Sequence, residues 1–175
     1  EWQKLRLDEG RGIDGPVEPL SRLASLTRFS VCWYAVAASL FGVCVSLFGL
    51  VFFSVGDYSE AIVWRAPWLA LVGLSAVVLW LTPLIGVLEG CNQVKEVYRF
   101  RFVRAVLGNI AVWACIPLGA GLWTPVFASL VQLICEVYLV AVTYRRFFGV
   151  LLRKPTGPSI DWWADVWPLQ WRIAV

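Results

Sequence analysis

The chain has 175 residues, of which 59% are hydrophobic and only 15% are charged, whereas about 25% of residues are charged in an average soluble domain. This composition, with a formal net charge of +3 and no histidine, excludes an ordinary soluble domain. Three long runs contain no charged side chain, at positions 29–56, 66–88 and 105–135. Because about 20 apolar residues cross a bilayer as a helix, we expect an all-α integral membrane protein.

The chain begins with a polar segment. Residues 1–28 contain several glycines and charges of both signs, which predicts a loop. Within it, leucines at positions 20, 23 and 26 predict a short amphipathic lead-in at the membrane surface, or simply the start of the first spanning helix. We therefore expect residues 1–28 to form a cytoplasmic loop and an amphipathic lead-in.

Residues 29–144 are expected to form a four-helix transmembrane region within a larger helical bundle. The four transmembrane helices are predicted at about residues 29–55, 64–88, 105–118 and 125–144. The last uncharged run is too long for one span, and the glycines in residues 119–124 predict the turn that divides it. Pro83 predicts a kink in the second helix.

The distribution of lysine and arginine predicts the orientation. Five precede the first predicted span, four lie between the second and third, and five follow the fourth. The two other loops together contain only Arg65. Because basic residues favour the cytoplasmic side, both ends of this chain are expected to be cytoplasmic.

Residues 145–175 are predicted to begin as a cytoplasmic basic linker that is broken at Pro155 and Pro158. A tryptophan-rich stretch follows, and its indoles are expected at the membrane interface. These tryptophans are Trp162, Trp163, Trp167 and Trp171. Pro168 predicts the first turn of a further span. Since the chain lacks methionine and ends on apolar residues, we expect an internal fragment whose partners include the missing spans of the same chain.

The residue types for catalysis or metal binding are scarce. The five cysteines are dispersed without a CxxC pair, and there is no histidine, so neither a zinc site nor a redox site is expected. We expect no enzymatic activity, catalytic residue or cofactor. The lipid bilayer is the expected partner, and nucleic acid is not.

Glu136 is the leading candidate for a functional residue. It falls near the middle of the fourth predicted span, where an acidic side chain costs at least about 2.5–3.5 kcal/mol. Gln132 and Ser129 lie on the same face of that helix. This polar stripe indicates either the lining of a substrate or proton pathway, or a structural hydrogen bond to a neighbouring span.

A second polar group follows the second span. Its candidate members for an ion-pair network in the cytoplasmic loop are Glu89, Asn92, Gln93, Arg99 and Arg101. The alternative is a solvated basic loop that sets orientation and attracts anionic lipid headgroups.

Three segments resemble a known family. They are LEGCNQVKEVYRFR at 88–101, YRRFFGVLLRKPTGP at 144–158 and VWPLQWRIAV at 166–175. They are similar to segments of bacterial inner-membrane proteins in the multidrug/oligosaccharidyl-lipid/polysaccharide flippase superfamily, on its polysaccharide-export side. The resemblance implies a protein of twelve or more spans in two six-helix lobes, of which this chain holds roughly the third to sixth. It supplies no catalytic residue.

The resemblance also implies a function. It predicts a flippase-like transporter that moves lipid-linked saccharides or polysaccharide precursors, as in lipopolysaccharide biosynthesis, across the bacterial inner membrane by alternating access. Two alternatives stay open. A small four-span accessory or scaffold protein would have the same hydropathy and orientation, and a multidrug or cation antiporter of the superfamily would also use an acidic residue within the membrane.

Overall fold

The computed structural model describes residues 6–7, 13–14, 17–55 and 63–152, and nearly all of them are helical. The helices are α1 (Val17–Val55), α2 (Arg65–Gly90), α3 (Val94–Cys115), α4 (Thr124–Tyr138) and α5 (Arg145–Leu151). A 3-10 turn at Gly121–Trp123 precedes α4, and a π-helical turn at Leu139–Thr143 follows it. Two-residue strands, β1 (Arg6–Leu7) and β2 (Ile13–Asp14), pair antiparallel. Residues 56–62 between the first two predicted spans, the tryptophan-rich stretch and the predicted further span lie outside the described residues.

Three helical segments are long and apolar enough to cross a membrane, namely Val17–Ser54, Arg65–Gly90 and Gly121–Thr143. They confirm the predicted all-α membrane protein. The predicted span at 105–118 is not confirmed. It belongs to α3, whose first half, at positions 94–104, carries five charged side chains. The uncharged remainder of α3 is only about 16 Å long, about half of a hydrocarbon core.

The first helix is longer than the predicted span. α1 begins at Val17, well before the predicted start at position 29, so the predicted lead-in and the first span form one helix. Glu18 in the first turn suits the positive end of the helix dipole, and Pro19 is tolerated there because first-turn amides lack helical partners. At 39 residues, α1 is about 58 Å long, so only part of it fits within a hydrocarbon core.

The helices α2 and α3 are joined by a three-residue turn where the sequence predicted a longer loop. α2 remains helical through Pro83 and ends at Gly90. Asn92 in the turn has a φ of 64°, a left-handed conformation that asparagine adopts more easily than most residues. The basic residues after the turn are therefore helical rather than looped, since lysine, glutamate and arginine favour helices.

The turn between α3 and α4 lies where the sequence predicted it. α3 ends at Cys115 and α4 begins at Thr124. Gly119 and Gly121 have φ values of 68° and 53°, a conformation that glycine adopts without steric penalty. The long uncharged run is thus divided into two helices.

The chain divides into two compact units, the first of which contains residues 31–139. Within this unit α2, α3 and α4 pack together and are named the central bundle. α1 reaches α2 through small residues. Gly42 faces Ala76, and Gly49 lies so close to the Trp68 indole that a Cβ atom would overlap it.

The second compact unit contains residues 1–30 and 140–175. Its described part has buried aromatic and apolar side chains on α5, including Phe147, Phe148 and Leu151. The predicted basic linker begins at Arg145, and a regular continuation of α4 into it would be one helix. Instead α5 is a separate seven-residue helix, because the backbone departs from helical geometry at Tyr144, where φ is −113° and ψ is 25°.

The direction of each helix in the central bundle follows from its contacts. Arg101 of α3 pairs with Glu89 at the end of α2. At the opposite end, Pro67 near the start of α2 and Pro125 at the start of α4 line the same pocket. α2 and α4 therefore run in the same direction. α3 and the turn after it run in the opposite direction and connect the end of α2 with the start of α4.

Candidate functional site

The helices α3 and α4 come into close contact at a glycine. A Cβ atom at Gly108 would lie 3.0 Å from Nε2 of Gln132 and 3.4 Å from its Cγ, so the lack of a side chain at Gly108 permits the approach. Gly108 is buried, and Gln132 is half-buried. The Gln132 side chain thus lies against the backbone of α3.

The next residues along this antiparallel contact form a buried ion pair. Arg104 lies one turn before Gly108, and Glu136 lies one turn after Gln132, so antiparallel packing brings their side chains together. Arg104 Nη1 pairs with Glu136 Oε1. Glu136 is only 3% exposed, whereas the Arg104 side chain is 29% exposed. The carboxylate is therefore enclosed, and the guanidinium reaches toward the surface.

Glu136 uses only one of its two carboxylate oxygens in this contact. Oε2 is buried and has no hydrogen-bond partner among the described residues. A buried acceptor without a partner costs about 1–3 kcal/mol, and more when it is charged. The free oxygen can accept a proton, a water molecule or a hydrogen-bond donor from a bound solute.

The polar stripe of α4 faces the protein rather than the surroundings. Glu136 is buried, and Ser129 and Gln132 are half-buried. The opposite side of the helix is apolar and exposed, with Leu130, Ile134, Val137 and Tyr138. Polar side chains inside and apolar side chains outside are the arrangement expected of a helix in a bilayer. The structure thus brings the polar residues near Glu136 onto one inward face.

The structure joins two of the five candidates for the predicted loop network. Arg101 Nη2 lies 2.8 Å from Glu89 Oε1, an ion pair without hydrogen-bond geometry. Arg99 is exposed, and Asn92 and Gln93 contribute backbone to the turn between α2 and α3. Of the predicted network, the described residues therefore show one ion pair, between α2 and α3.

The two ion pairs share one face of α3. Arg101 and Arg104 are three residues apart, a spacing that places side chains on the same side of a helix. Arg101 pairs with Glu89 of α2, and Arg104 pairs with Glu136 of α4. α3 thus links both neighbours electrostatically. Arg104 is the functional candidate that sequence reasoning missed. It lies among other basic residues, so it was interpreted only as one of the charges that set the orientation.

No known protein family, curated protein or solved structure matches the chain. Within the described residues, no group of three or more histidine, cysteine, aspartate and glutamate side chains is placed to hold a metal ion. What the chain does is therefore inferred from its own residues.

Proposed function

We propose that this chain forms part of a flippase-like transporter that moves lipid-linked saccharides or polysaccharide precursors across the bacterial inner membrane. The proposal unites the helical membrane fold, the inward-facing polar stripe of α4 and the resemblance of three sequence segments to polysaccharide exporters. The buried pair of Glu136 and Arg104 is the observation that carries it.

The position of the ion pair argues for a role beyond folding. Along the axis of α4, the distance from Pro125 to Glu136 is about 16 Å, which is close to half of a hydrocarbon core of about 30 Å. A buried ion pair is rarely more stable than a well-packed apolar pair, because both charges lose their hydration. Ionisable side chains within membranes commonly mark transport pathways.

The pair also provides a means of coupling transport to conformation. Separating Arg104 from Glu136 would leave a buried carboxylate without a counter-charge, which is costly in a medium of low dielectric constant. A movement of α3 against α4 would therefore be favoured only when a proton or a group of the substrate replaces the lost partner. The change between the two states of alternating access would thus depend on whether a proton or substrate is bound at Glu136.

The proposed topology has four passes with both ends cytoplasmic. The return of α3 between the ends of α2 and α4 supports it, although α3 carries five charges. Two of its arginines are paired with glutamates of the neighbouring helices, which lowers the cost of placing them within the bundle. The positions of lysine and arginine along the sequence give the orientation.

The test is transport by the Glu136→Gln variant of the complete protein. We expect loss of cell-surface polysaccharide, with normal membrane insertion, because glutamine keeps the shape but removes the charge. Glu18→Gln is the matched control, since Glu18 is an exposed acid at the start of α1 that pairs with Arg22 one turn away. Wild-type export by Glu136→Gln, together with unchanged drug and cation sensitivity, would refute a pathway role and favour the accessory or scaffold function.

A multidrug or cation antiporter is the second candidate function. The unpartnered Oε2 of Glu136 favours it, since a free buried carboxylate oxygen can bind a proton or a cationic solute. Normal surface polysaccharide together with increased drug or cation sensitivity in Glu136→Gln cells would select this function over saccharide export.

A further inference from the structure

The end of α1, the start of α2 and the start of α4 with its preceding turn line an apolar pocket far from the ion pairs. Its volume is about 320 Å³, within the range of about 300–1,000 Å³ that is typical of ligand sites. The lining includes Phe53, Trp64, Trp68, Leu71 and Leu122. Phe53 holds the two indoles together, with its ring centroid 5.0 Å from Trp64 and 5.4 Å from Trp68. The aromatic wall is therefore well defined.

The chemistry of the lining selects a hydrocarbon occupant. A water molecule in a buried site needs two to four polar partners, and the surface of this pocket is almost entirely apolar. An unfilled pocket would lose the dispersion contacts of its lining atoms. The occupant must therefore restore the dispersion contacts without needing polar partners. A flexible acyl chain does both, because it fills an irregular apolar space and needs no hydrogen bond.

Arg65 lies beside Trp64 in the wall of the pocket and supplies the complementary charge. Its guanidinium carbon is 5.8 Å from the ring centroid of Trp64, which lines the pocket. Arg65 is exposed, and it is the only lysine or arginine at positions 29–94. Arg65 is the first residue of α2, and the stretch that follows, at positions 66–88, carries no charge. Arg65 therefore marks the level of the lipid phosphates.

The depth of the pocket matches an acyl chain that continues from such a phosphate. Leu71 lies six residues beyond Arg65 on α2, or about 9 Å along the helix axis. The pocket therefore occupies the first part of the hydrocarbon layer, next to the level of Arg65. We propose that it binds one acyl chain of a membrane glycerophospholipid whose phosphate contacts Arg65. This site is distinct from the ion pairs, and it does not rest on the proposed transport function.

The test uses native mass spectrometry of the protein purified from membranes in a mild detergent. Leu71→Trp and Leu122→Trp each place an indole in the pocket, and Val77→Trp on the exposed side of α2 adds the same bulk elsewhere. Phosphatidylglycerol is the probe, and diacylglycerol with the same chains is the control lipid. We expect wild type and Val77→Trp to retain phosphatidylglycerol and both pocket variants to lose it.

The headgroup contact is tested separately by Arg65→Gln. We expect about fivefold weaker retention of phosphatidylglycerol, the effect of one basic residue near a lipid surface, and no change for diacylglycerol. Equal retention by the pocket variants and Val77→Trp would overturn the proposal, as would a wild-type protein without bound phospholipid. Equal retention of the two lipids by wild type would overturn the role of Arg65.

Photocrosslinking gives an answer even if the pocket variants do not fold. A phosphatidylglycerol that carries a diazirine in its acyl chain should label wild-type peptides containing Leu71 and Leu122. Labelling restricted to the exposed apolar side of α1, for example around Leu47 and Phe48, would contradict the site.

Discussion

Replacing Arg104 with glutamine is expected to destabilise the central bundle more than replacing Glu136 with glutamine. The two side chains form one ion pair but differ in exposure, since Glu136 is 3% exposed and the Arg104 side chain is 29% exposed. Without Arg104, the enclosed carboxylate has no counter-charge. Without Glu136, the partly exposed Arg104 side chain can extend along α3 toward the charged first half of that helix.

The magnitudes follow from this asymmetry. Removing one partner of a buried ion pair costs about 3–5 kcal/mol when the remaining charge is trapped, which is the expected effect of Arg104→Gln. Glu136→Gln should cost only about 1–3 kcal/mol, as for a polar group that loses its partner. The double variant leaves two neutral amides, so its cost should be smaller than that of Arg104→Gln alone.

Thermal unfolding in detergent, followed by tryptophan fluorescence, measures these differences. For a chain of this length, Arg104→Gln should lower the unfolding temperature by about 6–20 °C, and the additional Glu136→Gln change should restore part of the loss. Equal effects of the two single variants that add in the double variant would refute the pairing, because independent sites are additive.

Three further predictions concern the helix contacts and turns. Gly49→Ala should be less stable than Gly73→Ala by about 1–3 kcal/mol in thermal unfolding. The reason is that a Cβ atom at Gly49 would overlap Trp68, whereas a Cβ atom at Gly73 meets nothing within 4 Å. Equal stabilities of the two variants would contradict the contact between Gly49 and Trp68. Asn92→Val should destabilise by about 1–2 kcal/mol, and Asn92→Gly should not, because φ at this residue is 64°. Burial raises the pKa of the Cys91 thiol above its ordinary value, so less thiolate is present at a given pH. Maleimide labelling of Cys91 should therefore be slower than in denatured protein, and its rate should still rise above about pH 8.5. Identical pH profiles of labelling in the folded and the denatured protein would contradict the burial.

The existence of membrane helices was predictable because a bilayer requires long uncharged runs, although the full length of α1 was not. Positions 29–55 of the first uncharged run lie in α1, and the run at 66–88 lies within α2. The division of the third run was also predictable, because Gly119 and Gly121 permit a left-handed backbone. The start of α3 was missed because charged residues were interpreted as a loop, although they favour helix as readily as they favour solvent.

The candidate site was predictable only in part. Glu136 is conspicuous in sequence because an acid is rare within an apolar helix. Its partner Arg104 lies far away in the sequence, on the preceding helix, and only the antiparallel contact between Gly108 and Gln132 brings the two together. The π-helical turn at Leu139–Thr143 was also missed, since its residues have no distinctive pattern and a regular α-helix was the default expectation.

The separation of the paired charges along the chain has a consequence for biosynthesis. Glu89 and Arg101 are separated by a short turn, so they can associate as soon as α3 leaves the ribosome. Arg104 must wait until Glu136 has been synthesised, which takes about 2–6 s at typical elongation rates. During that interval the α2–α3 hairpin carries an unmatched guanidinium, and the arrival of α4 completes its neutralisation. Assembly of the central bundle is therefore ordered, with the hairpin first and α4 last.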